Sequence, residues 1–177
     1  MCIRDRVSSN RFEKNVLRTI EVFDDLISKG LFNKQIILLG CEPKSIFEKA
    51  IINTKNFKFC GYVSQKELSD YIVNAYCMVY PSLNEGFGYP PLLAMGNSVP
   101  VIASSATSIP EATGNVPLLF SPKSKDDLAS RILEMEYNEE VRNRIITDGK
   151  IWVEQLLHQQ KIQTQEILNY IFSDNGN

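Results

Sequence analysis

The stretch Cys77-Met-Val-Tyr80-Pro-Ser-Leu-Asn-Glu85-Gly-Phe-Gly-Tyr-Pro-Pro-Leu-Leu93-Ala-Met95 joins a short apolar strand to a helix through a turn with one acid and two glycines. The start of a helix presents unpaired N–H groups and a partial positive charge, which favour phosphate and other oxygen-rich groups. Gly86 and Gly88 allow the backbone to approach a ligand closely. Glu85 precedes the helix, where its carboxylate can accept hydrogen bonds from hydroxyls. The stretch therefore predicts a strand–turn–helix unit with a ligand site in its turn.

Apolar runs that are typical of buried strands recur on both sides of this unit. The sequence predicts strands over 35–40, 57–61, 77–80, 100–103 and 117–120, and an earlier strand that ends near Val7. The run Gln35-Ile-Ile-Leu-Leu-Gly40 is apolar almost throughout, which is typical of a strand covered on both faces, as in a parallel sheet.

Helical patterns separate these strands. One begins after Asn15 and ends at Gly30, where glycine can close the helix. Others are expected from Pro43 to about Asn53, from the capping box of Ser64 and Glu67, after Pro90 to near Asn97, over 108–112, and in three successive patterns from Ser124 onward. Strands that alternate with helices in this way predict an α/β fold, a Rossmann-like doubly wound parallel sheet of about six strands.

Right-handed crossovers bring every strand-to-helix loop of such a sheet to one edge, and ligands bind there, where the strand order reverses. These loops are 8–15, 41–43, 61–64, 82–90 and 104–109. They carry Arg11, Lys14, Glu85 and three glycines. We therefore expect the functional residues at the carboxyl ends of the strands.

Each candidate on this edge also has a plainer interpretation. Arg11 and Lys14 beside a helix start suit a diphosphate, but they also suit a solvated charged turn. Gly61-Tyr62-Val63 offers backbone for a flat ring, or forms an ordinary connection between strand and helix. Glu85 has no evident structural reason to precede a Gly-Phe-Gly turn, so its pattern favours contact with a ligand.

Three other residues favour structural explanations. Glu111 lies in the first turn of a short helix, where the helix dipole favours an acid. His158 is the single histidine, and no nucleophile arrangement surrounds it in the sequence, so we expect it on the surface. Trp152 is expected to pack in the core or against another domain.

Composition restricts the kind of protein. A net charge of −2 does not favour nucleic acid or anionic lipid as a partner. No apolar run approaches the roughly 20 residues that a membrane span needs, and no signal peptide is visible. The four cysteines (Cys2, Cys41, Cys60 and Cys77) lack metal-ligand spacing and are expected to be reduced thiols, which fits a cytoplasmic location.

We expect one domain over residues 7–172, followed by a polar tail over 173–177. Residues 1–6, Met-Cys-Ile-Arg-Asp-Arg, are expected to be a non-native extension, because they are a charged and weak substitute for the strand that should precede Val7.

The loop and turn motifs together resemble a known family. The segment 81–95, then Val99-Pro-Val-Ile-Ala-Ser104 and Ile109-Pro-Glu-Ala112, is similar to the donor-binding half of retaining glycosyltransferases of the GT-B architecture, group 1 or family 4. The loop 10–15 and the turn 60–64 fall where that family has its diphosphate loop and its base-contacting turn. The resemblance covers about residues 7–172.

The resemblance implies a role for each motif. Lys14 would hold the diphosphate of a UDP-, GDP- or ADP-sugar, with help from Arg11, and Glu85 would accept hydrogen bonds from the transferred sugar. Backbone would supply the remaining contacts: to the base from Gly61, Tyr62 and Val63, and to the sugar and phosphate from Gly86, Phe87 and Gly88. No metal or other cofactor is implied.

Two departures from the family pattern concern nucleotide binding. The family has a second glutamate, assigned to the ribose hydroxyls, where this chain has Leu93. Leucine cannot accept a hydrogen bond, and the lost contact would be worth about 1.5–3 kcal/mol for a charged partner. The arginine that usually precedes the phosphate lysine falls near Ser8, so Arg11 is not placed as its equivalent.

The function implied is the donor-binding half of a hexosyltransferase, mannosyl or glucosyl in type, that acts on a hydroxyl acceptor. The acceptor-binding N-terminal domain would be missing, so this chain alone is expected to be inactive. The full-length protein would be cytoplasmic, and any contact with the inner membrane would be peripheral and made through the missing half. The alternatives are a non-catalytic nucleotide- or sugar-binding module of the same fold and an unrelated flavodoxin-like domain.

Overall fold

The computed structural model describes residues 2–4, 12–42, 47 and 49–173. Its single sheet contains six strands, β1 (Cys2–Arg4), β2 (Ile36–Leu39), β3 (Phe57–Cys60), β4 (Met78–Tyr80), β5 (Val101–Ser104) and β6 (Leu118–Phe120). The spatial order is β3-β2-β1-β4-β5-β6, and every neighbouring pair is parallel. The predicted doubly wound sheet of about six strands is confirmed. The order reverses between β1 and β4, which places the ligand crevice of such a fold at their carboxyl ends.

The central strand β1 lies inside the segment that we expected to be an extension. Cys2 lies opposite Ile37 of β2 and Met78 of β4. The strand required before Val7 is thus present in the sheet, but it is formed by residues 2–4. That residues 1–6 are foreign to the domain stays a prediction.

The helices are α1 (Val16–Ser28), α2 (Gln65–Val73), α3 (Tyr89–Gly96), α4 (Ile109–Ala112), α5 (Lys125–Tyr137) and α6 (Glu139–Ser173). Short 3₁₀-helices cover Phe12–Lys14 and Thr54–Asn56. The capping box of α2 is present, because the Ser64 hydroxyl accepts from the Glu67 N–H while the Glu67 carboxylate accepts from the Ser64 N–H.

Two helix predictions need correction. Of the helix expected from Pro43 to about Asn53, residues 43–46 and 48 lie outside the described residues. Residues 49–53 form a turn and irregular backbone, so the predicted end of this helix was too late. The last two helical patterns form one helix, α6, 35 residues long. Gly149 lies in the middle of this helix and does not break it. A methyl group on Gly149 would come 3.3 Å from Met95, so glycine at this position lets α6 pack closely on α3.

The sheet separates two apolar layers, as alternation along the strands requires. Ile36 and Leu38 of β2 pack with α1 and α5. Leu39 packs with α2, α3 and the first half of α6 on the opposite face. Trp152 belongs to this second layer, where its indole N–H donates to the Ala112 carbonyl at 2.9 Å. Of the two predicted roles for Trp152, the structure shows packing in the core of this domain.

Beyond Leu156 the helix α6 leaves the domain. Every residue over 157–172 is exposed, including Leu157, Ile167, Ile171 and Phe172, of which Phe172 is 70% exposed. Among the described residues, no helix combines the length and apolar character needed to cross a membrane.

Candidate functional site

The turn between β4 and α3 is held in place by the 3₁₀-helix that precedes α1. The Leu83 N–H donates to the Glu13 carbonyl at 2.6 Å, and the Ser82 hydroxyl donates to the same oxygen at 3.2 Å. On the other side, the Ser104 hydroxyl at the end of β5 donates to the Ser82 carbonyl. Three loops of the carboxyl edge are therefore joined by hydrogen bonds.

Glu85 is anchored through its own backbone by the loop after β5. Its N–H donates to the Thr107 hydroxyl at 3.1 Å, and its carbonyl accepts from the Ser108 hydroxyl at 2.9 Å. Sequence reasoning placed this loop on the correct edge but assigned no role to Thr107 or Ser108. The available signal was a run of small hydroxyl residues directly after a buried strand.

The side chains of Lys14 and Glu85 meet. The Lys14 ammonium donates to a Glu85 carboxylate oxygen, and the two side chains are only 12% and 15% exposed. Lys14 Nζ also lies 5.9 Å from the centroid of the Tyr80 ring. Two residues that the sequence predicted for different parts of one ligand are thus in direct contact.

The environment of Glu85 favours its ionised form. Partial burial acts to raise the pKa of Glu85, but hydrogen bonds from Lys14, Tyr80 and Ser82, with the charge of Lys14, outweigh it and lower the pKa below its usual value. A carboxylate in this state is an acceptor only, which suits the recognition of hydroxyl donors.

The turn that follows Glu85 brings its backbone to the surface. Gly86 and Phe87 are exposed, while Gly88 is buried with φ +81° in the left-handed region that glycine adopts without strain. Pro90 and Pro91 have no N–H groups. The donors available to a ligand therefore belong to the turn rather than to the first turn of α3.

Lys14 is itself positioned by the residue that follows it. Asn15 has φ +56°, a left-handed conformation that asparagine tolerates better than most residues. Its amide donates to the Pro122 carbonyl at 2.7 Å, and Arg18 donates to both the Asn15 side chain at 2.8 Å and the Pro122 carbonyl at 2.6 Å. Sequence reasoning missed this link between the Lys14 segment and the loop after β6.

The predicted base-contacting turn, residues 61–63, follows β3, which is separated from β1 by β2. Gly61 accepts at its carbonyl from the Gly40 N–H at 3.0 Å, which ties the ends of β2 and β3 together. Tyr62 is 77% exposed, and Val63 is partly buried. The acid Glu42, to which the sequence pattern assigned nothing, lies against Gly61.

The remaining candidates are placed as follows. Leu93 is half-buried in the same apolar cluster that Val63 contacts, so its side chain contributes to packing. Arg11 lies outside the described residues. His158 and Glu111 are exposed, His158 on the part of α6 that leaves the domain.

The described cysteines show no disulfide, and the described residues contain no group of three or more acids, histidines or cysteines that could hold a metal ion. Complete burial raises the pKa of the Cys77 thiol to about 12. That thiol therefore stays protonated and has no nucleophilic role.

Comparison with known proteins identifies the family. Residues 7–152 match the family model described as glycosyl transferases group 1. The chain is 40% identical over 77 residues to O-antigen chain mannosyltransferase B of Escherichia coli, a match that covers 44% of this chain and 20% of that protein. It is 30% identical over 135 residues to an uncharacterized glycosyltransferase of Methanocaldococcus jannaschii, covering 74% of this chain and 38% of the relative.

Solved structures share the fold. The C-terminal domain of a glycosyl transferase group 1 family protein (LpcC) from Francisella tularensis matches with a TM-score of 0.72 and 24% identity, covering 87% of this chain and 84% of that one. Sucrose-phosphate synthase from Thermosynechococcus elongatus matches with a TM-score of 0.75 and 21% identity, covering 98% of this chain and 45% of that one.

The matched segment is therefore well under half the length of the two curated relatives named above. With its parallel six-stranded sheet and its Glu85-Gly-Phe-Gly turn, the chain belongs to the glycosyl transferases group 1 family, and its fold is one half of the GT-B architecture.

Proposed function

We propose that this chain is the donor-binding half of a metal-independent retaining glycosyltransferase that moves a sugar from a nucleotide diphosphate sugar to a hydroxyl acceptor. The observation that carries the proposal is the contact of Lys14 with Glu85 at the edge where the strand order reverses. One cation and one carboxylate side by side match the two parts of such a donor, a dianionic diphosphate and a polyhydroxylated sugar.

Ligand binding would separate the two side chains. The diphosphate would take the Lys14 ammonium, and the sugar hydroxyls would donate to the released Glu85 carboxylate. The backbone N–H groups of Gly86, Phe87 and Gly88 would supply the remaining contacts to the sugar and the phosphates. During transfer, the negative charge that develops on the leaving diphosphate would be stabilised by Lys14 in a site that needs little reorganisation.

The transferred sugar is proposed to be a hexose of the mannosyl type. The support comes from three relatives whose names contain mannosyltransferase, at 40%, 38% and 34% identity over less than half of this chain. Leu93 reduces the contacts available to ribose, so we expect weak nucleotide binding by this chain alone.

The acceptor side would come from a further domain of a longer protein. The side chains of Leu157, Ile162, Ile167 and Leu168 on this end of α6 are apolar and exposed, which supports such a partner. On this proposal, the chain alone transfers no sugar, and the complete protein is cytoplasmic.

The experiment compares ligand binding to Glu85→Gln, Lys14→Ala and the wild type by NMR titration with a nucleotide sugar and with the corresponding free nucleotide diphosphate. Glu85→Gln is expected to weaken binding of the sugar nucleotide at least tenfold and to leave binding of the free diphosphate unweakened or tighter, because Lys14 no longer has to leave a carboxylate. Lys14→Ala is expected to weaken binding of both. Glu111→Gln is the matched control, because it removes an exposed carboxylate elsewhere on the same edge. Unchanged sugar-nucleotide binding in Glu85→Gln would overturn the assignment.

A non-catalytic nucleotide- or sugar-binding module is the second candidate, and Leu93 is the observation that favours it. Sugar transfer by the longer protein separates the two. If transfer is detected and Glu85→Gln abolishes it, the enzyme assignment stands, and if a longer protein that binds the donor transfers nothing, the module is the better description.

A further inference from the structure

The loop between β5 and α4 contains a threonine in a left-handed backbone conformation. Thr107 has φ +50°. A β-branched side chain crowds the backbone in this region, which glycine and asparagine occupy far more readily. Of the four non-glycine residues with positive φ in the described part of the chain, two are asparagines and one is a serine, so Thr107 is the β-branched one. A conformation this unfavourable persists where surrounding contacts hold it in place.

The contacts that hold Thr107 are made with the backbone of Glu85. Its hydroxyl accepts from the Glu85 N–H at 3.1 Å and donates to the Glu85 carbonyl at 3.2 Å. The hydroxyl of Ser108 donates to the same carbonyl at 2.9 Å, and a carbonyl oxygen has two lone pairs for two donors. The N–H and the carbonyl flank the α-carbon of Glu85, so fixing both of them fixes the direction in which its side chain leaves the backbone.

The same loop supports both ends of the turn that carries Glu85. At the first end, the Ser104 hydroxyl donates to the Ser82 carbonyl. At the other end, a methyl group built on Gly88 would come 3.8 Å from Ile109 Cγ1, which is an ordinary packing distance. Thr107 therefore holds the middle of a turn that rests on this loop from Ser82 to Gly88.

The backbone contacts differ from the ion pair in what happens to them when the donor binds. In the free chain, Lys14 also holds the Glu85 carboxylate. On the proposed function, the diphosphate takes the Lys14 ammonium and that restraint is lost. The hydrogen bonds from Thr107 involve only the backbone of Glu85, so they remain in the complex, where a recognition group has to keep its geometry.

From this geometry we propose that Thr107 is a positioning residue for recognition of the transferred sugar. Its hydroxyl fixes the Glu85 backbone, so the carboxylate stays directed at the sugar hydroxyls after Lys14 has turned to the diphosphate. The inference rests on the proposed function, which supplies the ligand. It assigns Thr107 to the sugar and not to the diphosphate, and the left-handed backbone at Thr107 is what brings one hydroxyl to both polar groups of Glu85.

The test titrates the full chain by NMR with GDP-mannose and GDP, and with UDP-glucose and UDP. Thr107→Val keeps the branched shape without the hydroxyl, and Thr107→Gly loses the hydroxyl but adopts a positive φ without strain. Both should weaken binding of the nucleotide sugar about fivefold or more, the usual worth of a hydrogen bond, and leave binding of the free diphosphate unweakened. Thr107→Ser keeps the hydroxyl and should retain the affinity of the wild type for both ligands. Ser105→Ala is the matched control, because Ser105 is an exposed hydroxyl residue of the same loop.

A second readout needs no ligand. The pH titration of the Glu85 carboxyl carbon should show a pKa below the usual value in the wild type and in Thr107→Ser. In Thr107→Val and Thr107→Gly that pKa should rise, because the carboxylate is no longer held against its hydrogen-bond donors. The indole N–H signal of Trp152 shows that each variant is folded, since this group donates to the carbonyl of Ala112 at the end of α4.

Three results would overturn the inference. Unchanged binding of the nucleotide sugar in Thr107→Val or in Thr107→Gly means that the hydroxyl does not position Glu85, and so does a Thr107→Ser variant as weak as Thr107→Val. Equal weakening of the nucleotide sugar and the free diphosphate indicates a general structural role.

If the folded wild type binds none of the four ligands, it is the proposed function that fails. The carboxyl titration then decides on Thr107 by itself. A Glu85 pKa that is the same in the wild type and both hydroxyl-free variants overturns the positioning role, whereas a rise in both variants supports it.

Discussion

Lys14 and Glu85 are 71 residues apart in the chain, and their side chains form a largely buried ion pair at the carboxyl edge of the sheet. Glu85 is held through its backbone by Thr107 and Ser108, and Lys14 is followed by an asparagine bonded to the loop after β6. The pair is therefore the point at which the loops after β4, β5 and β6 and the segment before α1 are held together.

The lowered pKa of Glu85 predicts a pH-dependent contribution to stability. A carboxylate whose folded pKa is depressed stabilises the fold above its unfolded value, here 4.5, and loses that contribution as the pH falls through the lower folded value. The wild type should therefore exceed Glu85→Gln in melting temperature at pH 6–7, and the difference should shrink steadily below pH 4.5.

Thermal unfolding of both proteins from pH 3 to 7 checks this expectation. Glu111→Gln, measured in parallel, accounts for the general effect of removing one exposed acid. A difference between wild type and Glu85→Gln that grows as the pH falls would contradict the direction of the pKa shift.

Gly88 and Gly86 form a matched pair for the role of glycine in the turn. Gly88→Ala should destabilise the domain by about 1–2 kcal/mol, because its φ of +81° is strained for alanine. Gly86 has no positive φ and no atom within 4 Å of a methyl group, so Gly86→Ala should change stability by less than about 0.5 kcal/mol. Urea unfolding measures the free energy of unfolding of both variants. Equal losses of stability would show that the backbone strain at Gly88 does not cause the destabilisation.

Gly114 tests the packing of Trp152. A methyl group on Gly114 would lie 2.5 Å from Trp152 Cδ2, and its φ is +63°. Gly30 has a similar φ of +69° with nothing within 4 Å, so Gly30→Ala isolates the cost of the backbone conformation. Gly114→Ala should be less stable than Gly30→Ala by about 1–3 kcal/mol, the usual cost of overpacking. Denaturant midpoints, supported by Trp152 fluorescence, measure the difference, and similar losses in both variants would mean that the indole moves aside freely.

Asn15 combines a left-handed conformation with a side-chain bond to Pro122. Asn15→Gly keeps the conformation and loses the bond, which should cost about 0.5–1.5 kcal/mol. Asn15→Ala loses the bond and adds strain, so it should be about 1–2 kcal/mol less stable than the glycine variant. Urea unfolding ranks the three proteins, and an alanine variant as stable as the glycine variant would show that the backbone at position 15 relaxes.

Patterns of a few neighbouring residues predicted most strands and helix starts correctly. The apolar runs of β2 to β6, the Ser64 capping box and the glycine turn before α3 depend on neighbouring residues, and each lies within a residue or two of its predicted place. Two predictions were wrong: the end of a helix near Asn53, and the division of α6 into two successive helical patterns. Both failed because helix ends are set by packing as much as by propensity. In α6, contact with α3 keeps the helix unbroken through Gly149.

The sequence by itself determined that this chain is a parallel α/β domain, and it identified Lys14, Glu85 and the glycine turn as residues of one edge. Only the tertiary structure decided that Lys14 meets Glu85, that Asn15 bonds to Pro122, and that Glu42 lies on Gly61. Periodicity and turn chemistry act over a few residues, so they are readable along the chain. Contacts between loops depend on the strand order β3-β2-β1-β4-β5-β6, which brings together residues that no local pattern connects.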